Sequence, residues 1–295
     1  AGSIQGGVAA VGIAVSVNTF LNEVNAYIAG SNITVADGID IQTDNNSGIF
    51  NVAVAGQGGA VAVGGSVAVN TLVANSAAYV SGSSVNTGSL AINNTDNSFI
   101  TAITGSVQIG GGAFGVAVSV NTSVKTLKAY IDDSSITADD FVKVEAVDNG
   151  RISNVSVAGQ IAASVSQGGS VAVNTIVNTV EAYASDSVIN VLADTGSTDG
   201  LFVYANENSL IEAIAGSVQV SLIASYGMAV PVNTITNNVS SYLNNVESSD
   251  ICNISVQAEN SPEIKVVSAS GQLALVAAGG SVSVNTIVNN VDSYI

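Results

Sequence analysis

The chain has 295 residues, 47% of them hydrophobic, but only 5% aromatic and 9% charged, with no His, no Trp and a formal net charge of −17. With 22 acidic against 5 basic residues there is no Lys/Arg cluster to neutralise phosphates, which argues against nucleic acid and anionic lipid as partners. The single cysteine, Cys252, excludes an intrachain disulfide and is expected to be packed or inert. Without His, acyl, phosphoryl and lyase chemistries have few candidate groups.

Read from the start, AGSIQGGVAAVG lacks a basic n-region and is not a complete signal peptide. An alternating apolar run then closes on Asn18-Thr19, and Tyr27 follows nine residues after Asn18. In GIDIQT (Gly38–Thr43), Ile39 and Ile41 are expected to face inward and Asp40 and Gln42 outward, the period-2 signal of a half-buried strand. Asp44-Asn45 makes the following turn. From Asn45 to Thr95 there is no charge, but Gly, Gln57, Ser66 and Asn70 interrupt the run and Leu is scarce, so it is not a membrane helix.

The same order then returns down the chain. Asn-Thr recurs at Asn18, Asn70, Asn121, Asn174, Asn233 and Asn285, with spacings of 52, 51, 53, 59 and 52. A Tyr follows each Asn by nine residues: Tyr27, Tyr79, Tyr130, Tyr183, Tyr242 and Tyr294. A Gln precedes each by 13 or 14: Gln5, Gln57, Gln108, Gln160, Gln219 and Gln272. The Gln contexts alternate, GSIQ or GSVQ in one unit and AGQ or SGQ in the next, a rhythm of two units. The long spacing reflects an insertion near 192–200 (LADTGSTDG), read as a surface loop.

The expected fold is all-β: a single parallel β-solenoid over 1–295, with repeats near 6–57, 58–108, 109–160, 161–219, 220–272 and a partial 273–295. Pro231 and Pro262 leave the ladders nearly unbroken. About six short strands per unit suggest two three-sided coils of about 26 residues, giving a rod of roughly 50 Å; one large coil per unit would halve the length. Stacked coils explain the repetition. Each column wants one shape, so that Asn columns bond amide to amide and Tyr columns stack, while the coils bury Val, Ile and Ala on each other.

Candidate sites are few. Asp44, Asp96, Asp148, Glu207 and Glu259, each followed by Asn, would place carboxylates down one edge of the rod, where Ca²⁺ could bridge them; the bland alternative is turn chemistry. The pairs Asp132-Asp133 and Asp139-Asp140 are the only carboxylates a glycosidase reading could use, and their turn-like context speaks against it. The Tyr column is expected to be an interior or corner ladder rather than a sugar platform. Phe202 and Tyr204 break the unit pattern and are the best candidates for binding a glycan or protein.

GGSVAVNTIVNTVEAYASDSVINV and GVAVSVNTSVKTLKAYIDDSSITADDFVKVEA resemble the repeats of large secreted bacterial filamentous adhesins, of the leukotoxin type and more broadly the filamentous-haemagglutinin-like β-helices. The resemblance spans the whole chain. It implies a right-handed parallel β-helix at the bacterial cell surface, acting in adhesion or aggregation without catalytic residues or a cofactor. Expected partners are further repeats of the same chain, other copies end to end, or a cell-surface glycan or protein.

Overall fold

The computed structural model describes residues 1–192, 200–251 and 253–295. Residues 193–199 of the insertion near 192–200, and Cys252, therefore lie outside the described residues. Coil 1 is β1 (Gly2–Ala29) and β2 (Asn32–Asn45); coil 2 is β3 (Gly48–Ser81) and β4 (Ser84–Asp96). Coil 3 is β5 (Phe99–Asp132), β6 (Ser135–Ala138) and β7 (Phe141–Asp148). Coil 4 is β8 (Arg151–Val191) and β9 (Gly200–Glu207). Coil 5 is β10 (Leu210–Ser221), β11 (Ala224–Glu247) and β12 (Ile254–Asn260); coil 6 is β13 (Glu263–Leu273), β14 (Val276–Ser281) and β15 (Val284–Tyr294). All of these strands join one parallel sheet, wound as a β-solenoid.

The register settles the coil count. Asn18 pairs with Asn70, Asn70 with Asn121, Asn121 with Asn174, Asn174 with Asn233, and Asn233 with Asn285. Each repeat is thus one large coil, not two three-sided ones. Six coils at the ~4.8 Å strand spacing rise ~29 Å rather than the expected 50. The strands are also far longer than expected, because Gly, Ser and Asn inside them do not break the pairing. A bend in one coil is followed by the same bend in the next, so the ladder continues through it. The gap between β14 and β15 lies opposite Pro231, which has no N–H to give.

The coil is flat, with two walls. Wall A is the segment Gly112–Asp132 and its equivalents. Wall B is the segment Phe99–Gly110 together with β6–β7 of the coil. Cross-wall hydrogen bonds fix the facing residues: Asn51 donates to Asn70 at 2.7 Å, Ser76 to Asn94 at 2.8 Å and Asn22 to Asn45 at 2.7 Å. Apolar packing fills the wide parts. Ile49, Ile100, Ile152 and Ile211 of wall B meet Leu72, Ile176 and Ile235 of wall A. A second cluster joins Leu127, Ala129 and Ile131 to Ile136, Val142 and Val144, with Lys143 and Glu145 facing out as the alternation requires. The wall A–β6 corner is a column of left-handed residues, Gly30, Gly82, Asp133, Asp186 and Asn245, with φ between 46° and 57°. Serines brace it: the N–H groups of Ser31, Ser83 and Ser134 each donate to the serine hydroxyl of the next coil at 3.1–3.2 Å.

Where wall A meets the first part of wall B, the interior is thin and polar. Gln57, Gln108, Gln160, Gln219 and Gln272 form an inward ladder, with amide-to-amide bonds of 2.8–3.1 Å. Opposite each Gln stands a glycine, six residues before the Asn: Gly64, Gly115, Gly168, Gly227 and Gly279. A Cβ at any of them would overlap the facing glutamine amide. These glycines make room for the Gln ladder. The close walls also reverse the expected burial in this region. Ala68, Ala113, Ala117 and Ala172 point inward and are fully buried, whereas Val116, Val118 and Val120 point outward.

The glycine–glutamine fit is testable. Gln108 is held by its neighbours above and below and cannot swing away, so Gly115→Ala should lower stability by about 1–3 kcal/mol. Adding Gln108→Ala to that variant should recover part of the loss, read as denaturation midpoints.

Candidate functional site

The five candidate acids do not form one column. Asn45, Asp96, Asp148, Glu207 and Asn260 are in register and face inward. Asp44 and Glu259 sit one residue earlier and face outward, in the column of Thr95, Val147 and Asn206. The one-residue slip sends only Asp96, Asp148 and Glu207 into the core, all fully buried. Each closes the turn behind it by accepting the N–H two residues on, from Ser98, Gly150 and Ser209 at 2.8–3.0 Å. The carboxylate edge expected for Ca²⁺ is therefore replaced by an interior row. Among the described residues no group of three or more His, Cys, Asp or Glu side chains is placed to hold a metal.

A lysine occupies the interior beside that row. Lys125 of wall A is fully buried and ion-pairs with Asp148 and, at 3.4 Å, with Asp96. Its column reads Asn22, Ala74, Lys125, Asn178, Asn237 and Asn289. Ala74 offers Asp96 no donor from wall A of its own coil; Asn45 donates to it from the coil before at 2.6 Å, and the Lys125 ammonium, one coil on, serves both carboxylates. In the next coils asparagines take over: Asn178 donates to Glu207 at 3.0 Å, and Asn237 donates to Glu207 and, at 3.2 Å, to Asn260. Burial alone would lower the Lys125 pKa, but Asp148 and Asp96 outweigh it and hold the ammonium above its ordinary 10.5. Burial pushes Asp148 up, more than Lys125 pulls it down. Glu207, one coil beyond the ion pairs, rises to about 7, through burial and then repulsion from Asp148. With three carboxylates near one ammonium, burial and mutual repulsion favour the protonated forms of Asp148 and Glu207. The sequence offered one signal for this cluster, the Asn four residues after the Asn of four Asn-Thr pairs; Ala74 and Lys125 are the two places where that pattern breaks.

The remaining candidates lie on the outside. The Tyr column faces outward rather than into the interior, three residues ahead of the left-handed corner. Its rings stack at 4.7–5.1 Å with interplanar angles of 2–9°. Each inner ring is covered on both faces by its neighbours, so the column offers edges and hydroxyls to solvent rather than the ring faces that sugars stack on. The Asn column does bond amide to amide, at 2.7–2.9 Å through all six coils. Asp132 accepts the Ser185 hydroxyl at 2.6 Å, while Asp133 is the corner residue itself. The exposed Asp139 and Asp140 donate backbone N–H to Thr87 and Gly88 in a turn. These four acids are spread over a strand end and two turns and do not converge on a common pocket. Phe202 and Tyr204 do share an outward depression of about 300 Å³, with Lys143, Glu145, Gln257 and Glu259 on its walls. The Tyr204 hydroxyl donates to Glu259 at 2.7 Å; partial burial, then that bond, pushes its pKa to about 12.

Comparison with family models, with curated proteins and with solved structures gives no match to this chain.

Two outcomes test the cluster. Lys125→Met leaves two buried carboxylates uncompensated and should cost about 3–5 kcal/mol at neutral pH. Asp96→Asn with Asp148→Asn in the same chain should restore most of it, measured by chemical denaturation. For Glu207 the sign is set by a folded pKa of about 7 against 4.5 in the unfolded chain. Between those values the unfolded chain has ionised Glu207 and the folded one has not. Stability should fall as pH rises through that window and level off above it, by up to roughly 3 kcal/mol. Glu207→Gln should reduce this slope in a pH series of melts, leaving the part of the same sign that the raised Asp148 contributes.

Proposed function

We propose that the chain is a structural segment of an extracellular bacterial filament or giant surface adhesin, a stiff rod for cell–cell or cell–surface attachment. The observation that carries the reading is continuity. The Asn and Tyr ladders run through all six coils and the Gln ladder through coils 2 to 6, and the interior polar groups are used to bind coil to coil. Such a body gains rigidity from nearest-neighbour stacking and adds length by adding repeats. The resemblance to secreted adhesin repeats supplies the location and the role in attachment. The acidic residues on the outer surface favour a soluble rod.

A second reading is favoured by one feature, the depression at Phe202 and Tyr204. At these two outward positions only coil 4 carries aromatics, and a glycan or a protein side chain suits that setting. The two readings separate by experiment. In bacteria displaying the chain, removing two coils in register should weaken attachment, and an unrelated solenoid of equal length should restore it. Under the second reading that replacement fails, and Phe202→Ala with Tyr204→Ala abolishes attachment at full length. Attachment indifferent to all of these changes removes both.

A further inference from the structure

The two-unit rhythm of the sequence emerges on the outside of wall A. In the outward column that contains Val116, the six coils carry Ile13, Gly65, Val116, Gly169, Met228 and Gly280. Large side chains stand in odd coils and glycines in even ones. The large ones project, with Ile13 65%, Val116 47% and Met228 57% exposed. The glycines leave hollows: about 270 Å³ at Gly65, between Ile13 and Val116, and about 310 Å³ at Gly169, between Val116 and Met228. The result is a ridge every two coils, ~10 Å apart, with a hollow midway between ridges.

This face is also free of charge. No Asp, Glu, Lys or Arg occurs in 9–21, 61–73, 112–124, 165–177, 224–236 or 276–288, although the chain carries a net −17. Any acidic chain that approaches here meets no like charge on the face itself. Thirteen columns by six coils cover ~1,200 Å², against the ~800 Å² per partner that a stable interface buries.

We infer that this face binds a second copy of the chain, face to face, with the two rods antiparallel. The geometry selects both the occupant and the direction. A surface with a ridge pitch of two coils is matched by a surface of the same pitch, and the chain itself supplies one. A two-fold axis lying in the face along the strands, between coils 3 and 4, reverses the rod and keeps each column over itself. Val116 then faces Gly169, Ile13 faces Gly280 and Met228 faces Gly65, so each large side chain of this column meets a glycine. A two-fold along the rod axis would instead set Ile13 on Ile13 and Val116 on Val116. The contact is isologous and closes at two copies. It is independent of what the rod attaches to.

The test is sedimentation of the whole chain at micromolar concentration, with small-angle scattering for shape. The expected result is a dimer about twice as thick as one rod and no longer along the axis. Val116→Lys with Met228→Lys should give monomers. Both side chains already point to solvent in the single rod, so circular dichroism and the melting midpoint of that variant should match the parent. Thr126→Lys, outward but beyond the face, should leave the dimer intact. A monomeric parent overturns the proposal, as does a dimer indifferent to the two lysines or one lengthened along the rod. Parent monomers that instead bind neutral lipid vesicles, with binding lost in the double-lysine variant, overturn it in favour of a membrane surface.

Discussion

The structure depends on like stacking on like at the spacing of neighbouring strands. A residue at a given point of one coil sits ~4.8 Å from its counterpart in the next, and that distance decides what each column can contain. Amides satisfy it without a partner of another kind, since each carries donors and an acceptor; hence the Asn and Gln ladders. Phenol rings satisfy it by lying flat on one another. Charges do not, because a column of equal charges repels itself. The interior row of Asp96, Asp148 and Glu207 breaks this rule and requires Lys125, Asn178 and Asn237 to do so.

Much of the fold was legible before any coordinates. The constant offsets from Gln to Asn to Tyr fixed the repeat, and the alternation in FVKVEAV indicated a strand and which of its sides faces in. Two things were not legible, for definite reasons. Alternation by itself does not say which parity is buried when both sets are small and apolar. In GVAVSVNT hydrophobicity alone would put Val inside, yet the walls there are too close and Ala goes in. The decisive clue was the glycine six residues before each Asn, whose meaning depends on a glutamine on the opposite wall. The coil size was also hidden, since a repeat of about 52 residues suits one wide coil as well as two narrow ones, and only the pairing register separates them. The acidic column failed for a smaller reason. One residue more or less in the turn, as between Asp44-Asn45 and Asp96-Asn97, reverses a side chain from outside to inside.

Wide coils also affect how the molecule behaves under load. The backbone hydrogen bonds of parallel coils run along the rod, so tension between the two ends of the chain peels one coil at a time from an end. Each coil holds about 52 residues, some 170 Å of extended chain, behind a rise of only ~5 Å. A coil that lets go therefore lengthens the tether more than thirtyfold relative to the rod it removes. The neighbouring coil keeps its own ladder on its far side and resists in turn. Under a sudden pull the rod pays out slack in quanta, one repeat at a time, and absorbs work that would otherwise reach whatever is fastened at its ends.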